Sequence, residues 1–194
     1  MWLSDRPLTQ QRLATDLANL ISILAPATVV PFLSAFWTTM AREWAGIDVL
    51  RMDKMLLLVR KYVHASFAYL ARSKWTERDL VERYMGVLAA IPLSPADGKV
   101  PDGLRYHILD VYVEELDRVD TPRSGVLPLE VVLGPLRALE RESPNKAVRR
   151  RAKEALADER LEGWEGMNTE GNAEGKSGGE DNNSGGDEWG GIDE

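Results

Sequence analysis

Apolar residues recur along this chain at spacings of three and four. Leu13, Leu17, Leu20, Ile21 and Leu24 share one helical face, with Ser4 or Asp5 as cap and Pro7 in the first turn. Pro26 and Pro31 follow, so a short turn is expected before a second helix over about residues 31–44. Gly46 interrupts the pattern, and Asp48 can accept backbone N–H bonds at the start of a third helix reaching about residue 72. Its stripe is Leu50, Met55, Leu58, Tyr62, Phe67 and Leu70. Thr76 is placed to cap a fourth helix, with Leu80, Val81, Tyr84, Met85 and Leu88 turned inward and Pro92 as its stop. After SPADGKVPDG comes a fifth helix over about 104–119. A sixth opens at Pro128 and is kinked by Pro135; Ser143 and Pro144 open a seventh that reaches about 161. No stretch alternates with the period of a strand. The expected fold is all-α: about seven helices in antiparallel pairs, an irregular α-solenoid, with a compact bundle as the competing arrangement.

Charge divides the chain. The net charge of −7 is concentrated after residue 160, where ten acids and ten of the 16 glycines meet one base, Lys176. That composition has little to bury and cannot offset the entropy of ordering. The expected organisation is therefore a helical domain over 1–161 and a disordered, acidic, glycine-rich tail over 162–194. Before the tail, 21 acids face 23 bases.

The uncharged run 17–41 is long enough to cross a bilayer, but it carries Pro26, Pro31, Asn19, Ser22, Thr28, Ser34, Thr38 and Thr39. Two buried helices account for it better than a span, and no membrane partner is expected. The absence of Cys removes disulfides, thiolate metal sites and thiol nucleophiles, and His64 and His107 stand far apart. A metal site would need carboxylates alone. Glu43, Asp48 and Asp53 lie around one helix junction, and Asp110 and Glu114 stand four apart on the fifth helix. Acids at a helix start are satisfied by caps and the dipole, and spaced acids on a helix are ordinarily solvated. With no phosphate loop, nucleophile elbow or zinc-protease motif, no catalysis, cofactor or small-molecule substrate is expected.

The bases form two groups: Arg42, Arg51, Lys54, Arg60 and Lys61 around the second and third helices, and Lys146, Arg149, Arg150, Arg151 and Lys153 on the last. The second group crowds the N-terminal half of its helix, where the dipole disfavours cations, so an anion such as a phosphate backbone would compensate it. A solvated face balanced by Glu154, Asp158 and Glu159 is the plainer explanation. In the tail, DEWGGIDE sets Trp189 and Ile192 among acids, a candidate anchor for a partner's pocket or for the chain's own basic helix.

The segments MWLSDRPLTQQRLA, FWTTMAREWAGIDVLRMDKMLLLVRKYV, GLRYHILDVYVEEL and PLRALERESPNKAVRRRAKEALADERL resemble the eukaryotic nucleolar ribosomal RNA-processing protein 1 family over most of 1–161. The resemblance implies a non-catalytic helical factor in the nucleus and nucleolus, acting in pre-ribosomal RNA processing and assembly of the large (60S) subunit precursor. Its implied partners are pre-60S assembly factors including Brix-domain proteins, ribosomal proteins and pre-ribosomal RNA. A helical protein–protein adaptor without RNA contact is the alternative. In that family a WLSDRP-like motif follows an earlier helical pair, so the chain is expected to open inside the domain, with the Leu13, Leu17 and Leu20 face partly uncovered.

Overall fold

The computed structural model describes residues 6–121, 123 and 126–164. Eight α-helices are found there: α1 Pro7–Asn19, α2 Pro26–Glu43, α3 Val49–Ala71, α4 Arg78–Ala90, α5 Asp102–Val119, α6 Leu129–Val132, α7 Gly134–Glu142 and α8 Lys146–Leu156. Short 3₁₀ turns close α1, α2 and the last segment, and no strand occurs among the described residues.

Local chemistry explains most boundaries. Pro26 occupies the first turn of α2, where a missing N–H is no loss, so this helix starts five residues before the expected Pro31. Pro31 lies inside it and removes one backbone bond, on an exposed stretch where water can serve the carbonyl. Asp48 caps α3 as expected, its Oδ1 accepting from the Leu50 N–H at 2.8 Å. Thr76 does not cap α4: its hydroxyl donates to the Ser73 carbonyl, and the helix begins at Arg78. Pro135 starts a new helix, α7, instead of kinking a longer one. Asn145 caps α8 through the Ala147 N–H.

The helices stack in two rows. One row is α1, α3, α5 and α8, and the other is α2, α4 and α7, with α6 beside α4. Within the first row the helices run in the same direction, because paired residues advance together along both partners. Tyr62 and Tyr69 on α3 donate to the Leu17 and Leu24 carbonyls, each 45 residues earlier. His107 on α5 meets the Leu56 carbonyl, and Arg60 meets Glu114. Asn145 and Arg151 meet Asp102 and Asp110. Parallel helices in one row, each returned by a helix of the other row, make an α-solenoid.

The core runs between the rows. Trp37, Phe67, Tyr84, Tyr112, Leu116 and Leu136 are all buried. The Trp37 indole donates to the Tyr84 hydroxyl at 3.2 Å, and the Tyr112 hydroxyl donates to the Val132 carbonyl at 2.6 Å. Burial holds the Tyr84 pKa up at about 12 and that of Tyr112 well above its ordinary value. Trp75, fully buried in the α3–α4 turn, sits at φ 62° after Lys74 at φ 52°, so burial of the indole has to offset a left-handed backbone. Packing continues to Trp164, past the expected end near Leu161.

Leu50 departs from the expected stripe: it is 88% exposed and Val49 is 85% exposed. The 45-residue offset to α1 explains this. Applied to Leu50 it points to residue 5, outside the described residues, and among the described residues no helix of that row lies opposite the first turn of α3 on that side.

Candidate partner-binding surfaces

α8 is positioned by Val148 and Ala152, both fully buried against the row. The opposite face follows from helical geometry: Lys146, Arg150 and Lys153, at i, i+4 and i+7, all point outward and are exposed. Arg150 lies 3.6 Å from Glu154, both side chains well exposed, which is a weak pair. No carboxylate of the described residues pairs with Lys146 or Lys153. The other two bases serve the fold. Arg149 donates to the Ser143 and Pro144 carbonyls at 2.6 and 3.1 Å. Arg151 grips both oxygens of Asp110 at 2.7 and 2.8 Å and lies over the Tyr106 ring.

The first basic group is dispersed. Arg42 is exposed on α2 and bonds Glu43 at 2.6 Å. It shares a cavity of about 340 Å³ with Lys99 and Asp97. Arg51 faces Asp48 at 3.9 Å, while Lys54 is buried and turned away from solvent. Arg60 is half-buried and lies across Glu114 and Glu115 of α5. Lys61 lines a groove with Arg12 and Asp16 on α1. Arg60 and Lys54 belong to packing, and Arg42 and Lys61 line different cavities.

The acids are likewise accounted for. Asp48 is a cap, Glu43 binds Arg42, Asp110 binds Arg151, and Glu114 binds Arg60 and Arg118. Asp53 is exposed. No group of three metal-ligating side chains occurs among the described residues. No helix among them is long and apolar enough to cross a membrane.

Four features escaped the sequence reading. Glu115, 2% exposed, accepts from Arg60 and lies 3.0 Å from His64 Nδ1, tying α3 to α5. Burial alone would raise its pKa, but hydrogen bonds with His64 and Arg60 and the nearby arginine charges hold it below the usual value. Arg105, 5% exposed, donates to the Ser94, Asp97 and Val100 carbonyls and to Asp102, fixing the 94–101 loop. Trp164 donates to Asp120 at 2.7 Å beneath the Arg123 guanidinium. The fourth is an apolar groove of about 450 Å³ lined by Phe36, Met40, Ile47, Met55 and Tyr62. Two of these had a signal: Arg105 and Glu115 fall in register with buried Leu104, Ile108, Tyr112 and Leu116. Trp189 and Ile192 lie outside the described residues.

The Nop52 nucleolar protein family model matches residues 1–191. Among similar curated proteins, ribosomal RNA processing protein 1 homolog B of Homo sapiens is 39% identical over 120 residues, covering 61% of this chain and 16% of the relative. The homolog of Drosophila melanogaster is 36% identical over 137 residues, 70% of this chain and 20% of the relative. The homolog of Caenorhabditis elegans is 34% identical over 118 residues, 60% of this chain and 29% of the relative. The matched stretch thus spans less than a third of each of these relatives.

Proposed function

We propose that this chain, which belongs to the Nop52 family of nucleolar proteins, is a non-catalytic scaffold in ribosomal RNA processing that holds precursor RNA against protein partners during assembly of the large subunit. Family membership places it in the nucleolus. The names of its relatives support the process, and the α8 surface supports the RNA contact. A three-cation stripe on the last helix of the described row, with Arg149 and Arg151 fixing the helix beneath it, suits a phosphate backbone without regard to sequence. Pre-60S assembly factors, Brix-domain proteins among them, and ribosomal proteins would occupy the remaining faces.

The test is RNA binding across a salt series. Lys146, Arg150 and Lys153 changed together to Ala should weaken binding and flatten the dependence of log K on log salt by about 0.7 to 0.9 per lost phosphate contact. An unchanged slope would move the RNA surface away from α8.

A second reading, a protein adaptor without RNA contact, is favoured by one observation. Val49 and Leu50 are exposed in the first turn of α3, an apolar surface suited to a partner helix. Changing Leu50 to Ser should then abolish partner capture and leave RNA titrations untouched.

A further inference from the structure

We infer that the cationic ridge of α8 holds base-paired RNA in preference to single-stranded RNA, lying against phosphates of both strands. The inference rests on the RNA contact of the proposed function and names the form of RNA that the contact selects.

What α8 offers a ligand is charge. Its exposed residues are Lys146, Arg150, Lys153 and Glu154, and each carries a charge at neutral pH. Glu154, the one acid among them, lies 3.6 Å from Arg150 in an exposed pair that a phosphate can outcompete. Single strands are held where bases stack on aromatic rings or hydrogen-bond along their edges. Every aromatic side chain among the described residues is buried or half-buried. Tyr106, a ring that α8 meets, already carries the Arg151 guanidinium 4.7 Å from its centroid. The ridge therefore reads phosphates and leaves bases alone, and paired RNA, with its bases turned inward, loses nothing by that.

The ridge is also rigid. Val148 and Ala152 are fully buried beneath it, and Asn145 caps the first turn through the Ala147 N–H. Arg149 and Arg151 tie the helix to two carbonyls and to Asp110. Lys146, Arg150 and Lys153 therefore project at axial steps of about 6 and 4.5 Å, a ridge roughly 10 Å long. Cations at fixed positions are best met by phosphates at fixed positions. A duplex supplies these already ordered, whereas a flexible strand must give up conformational freedom on contact. In A-form RNA the narrow major groove sets phosphates of the two strands facing one another, within reach of side chains from one ridge.

Charge density sets the size of the effect. Log K falls with log salt by about 0.9 per contact on a duplex and about 0.7 on a single strand. Three contacts give slopes of about 2.7 and 2.1, so between 1 M and 0.1 M salt the duplex gains roughly fourfold over the single strand.

The test titrates the full chain with a blunt-ended RNA duplex and with oligouridine of equal phosphate number, across a salt series. The duplex should bind roughly fourfold more tightly at about 0.1 M salt, with the steeper slope. Changing Lys146, Arg150 and Lys153 together to Ala should remove that preference while the denaturation midpoint holds. Should the midpoint shift, Lys146→Gln and Lys153→Gln made singly serve instead, each lowering the duplex slope by about 0.9 and the oligouridine slope by about 0.7. Equal affinities for the two RNAs, both lost in the variants, would overturn the duplex preference and leave the α8 contact standing. A duplex preference that survives in the variants would overturn the assignment to α8. If neither RNA binds the wild-type chain, the RNA reading of α8 fails and this inference falls with it.

Discussion

The two ends of the α1–α3–α5–α8 row are finished in opposite ways. At one end, Leu8 and Ile23 are 75% and 78% exposed and Leu20 is 43% exposed, beside half-buried Leu13 and Leu17. At the other, α8 shows solvent Lys146, Arg150 and Lys153 while its buried residues are only Val148 and Ala152. Both helices pack by one face on a neighbour in the row, yet the faces they leave open differ in what can cover them. An apolar face gains from protein contact, whereas a cationic stripe gains from a polyanion. Under the proposed function, protein would be held at one end and nucleic acid at the other.

The largest expected effect lies in how firmly the α8 end is anchored. Trp164→Ala removes a fully buried indole and its hydrogen bond to Asp120. The loss should be about 3 to 5 kcal/mol, read from the denaturant midpoint. A cost below about 1 kcal/mol would show that the α8 end is as loosely held as the outer face of α1.

Next comes the seam between the two ends. Glu115→Gln replaces a buried carboxylate that serves Arg60, His64 and Arg118, and should cost about 2 kcal/mol at neutral pH. The folded Glu115 pKa is depressed, so its contribution is present above the ordinary glutamate value near ~4.3 and is lost as pH falls through the folded value. Denaturation curves of wild type and variant should converge in acid. A gap that stays constant down to pH 3 would mean that the charge plays no part.

How much of this was legible follows from the same residues. Helix type, most of the apolar stripes and the Asp48 cap could be read because they depend on neighbours three and four positions away. The row order could not, since it depends on contacts such as Arg60 with Glu115 and Asn145 with Asp102 across 55 and 43 residues. For the same reason the bases Arg149, Arg150 and Arg151 looked equivalent in sequence. In the fold, Arg151 belongs to Asp110 and Arg149 to two carbonyls, leaving Arg150 with Lys146 and Lys153 as the outward set. Leu50 read as core because its spacing was right; among the described residues, the stagger between α1 and α3 leaves it exposed.

That division of α8 gives the third prediction. Arg149→Ala and Arg151→Ala should lower stability by about 1 to 2 kcal/mol through lost hydrogen bonds to carbonyls and to Asp110. Lys146→Ala and Lys153→Ala should change stability by less than about 0.5 kcal/mol. If all four behave alike in denaturation, the structural and outward sets are not distinct.

The smallest expected effect is at the α1 end. Leu8, Leu20 and Ile23 are largely in water, so changing each to Ser removes little buried area, and the summed stability change should stay within about 1 kcal/mol. Binding is where these residues differ from an ordinary surface. Ile23 follows buried Ile21 in the 3₁₀ turn, and the Arg72 guanidinium, donating to the Ser22 carbonyl at 2.9 Å, holds that turn in place. The apolar side chains are therefore presented from a fixed backbone, which reduces the entropy a partner must overcome on docking. The triple variant should keep the wild-type denaturation midpoint and the wild-type RNA salt slope while losing association with pre-ribosomal proteins in a pull-down from nucleolar extract. Retained association would make the apolar end an ordinary solvent-facing surface, and the contrast between the two ends would then rest on α8 alone.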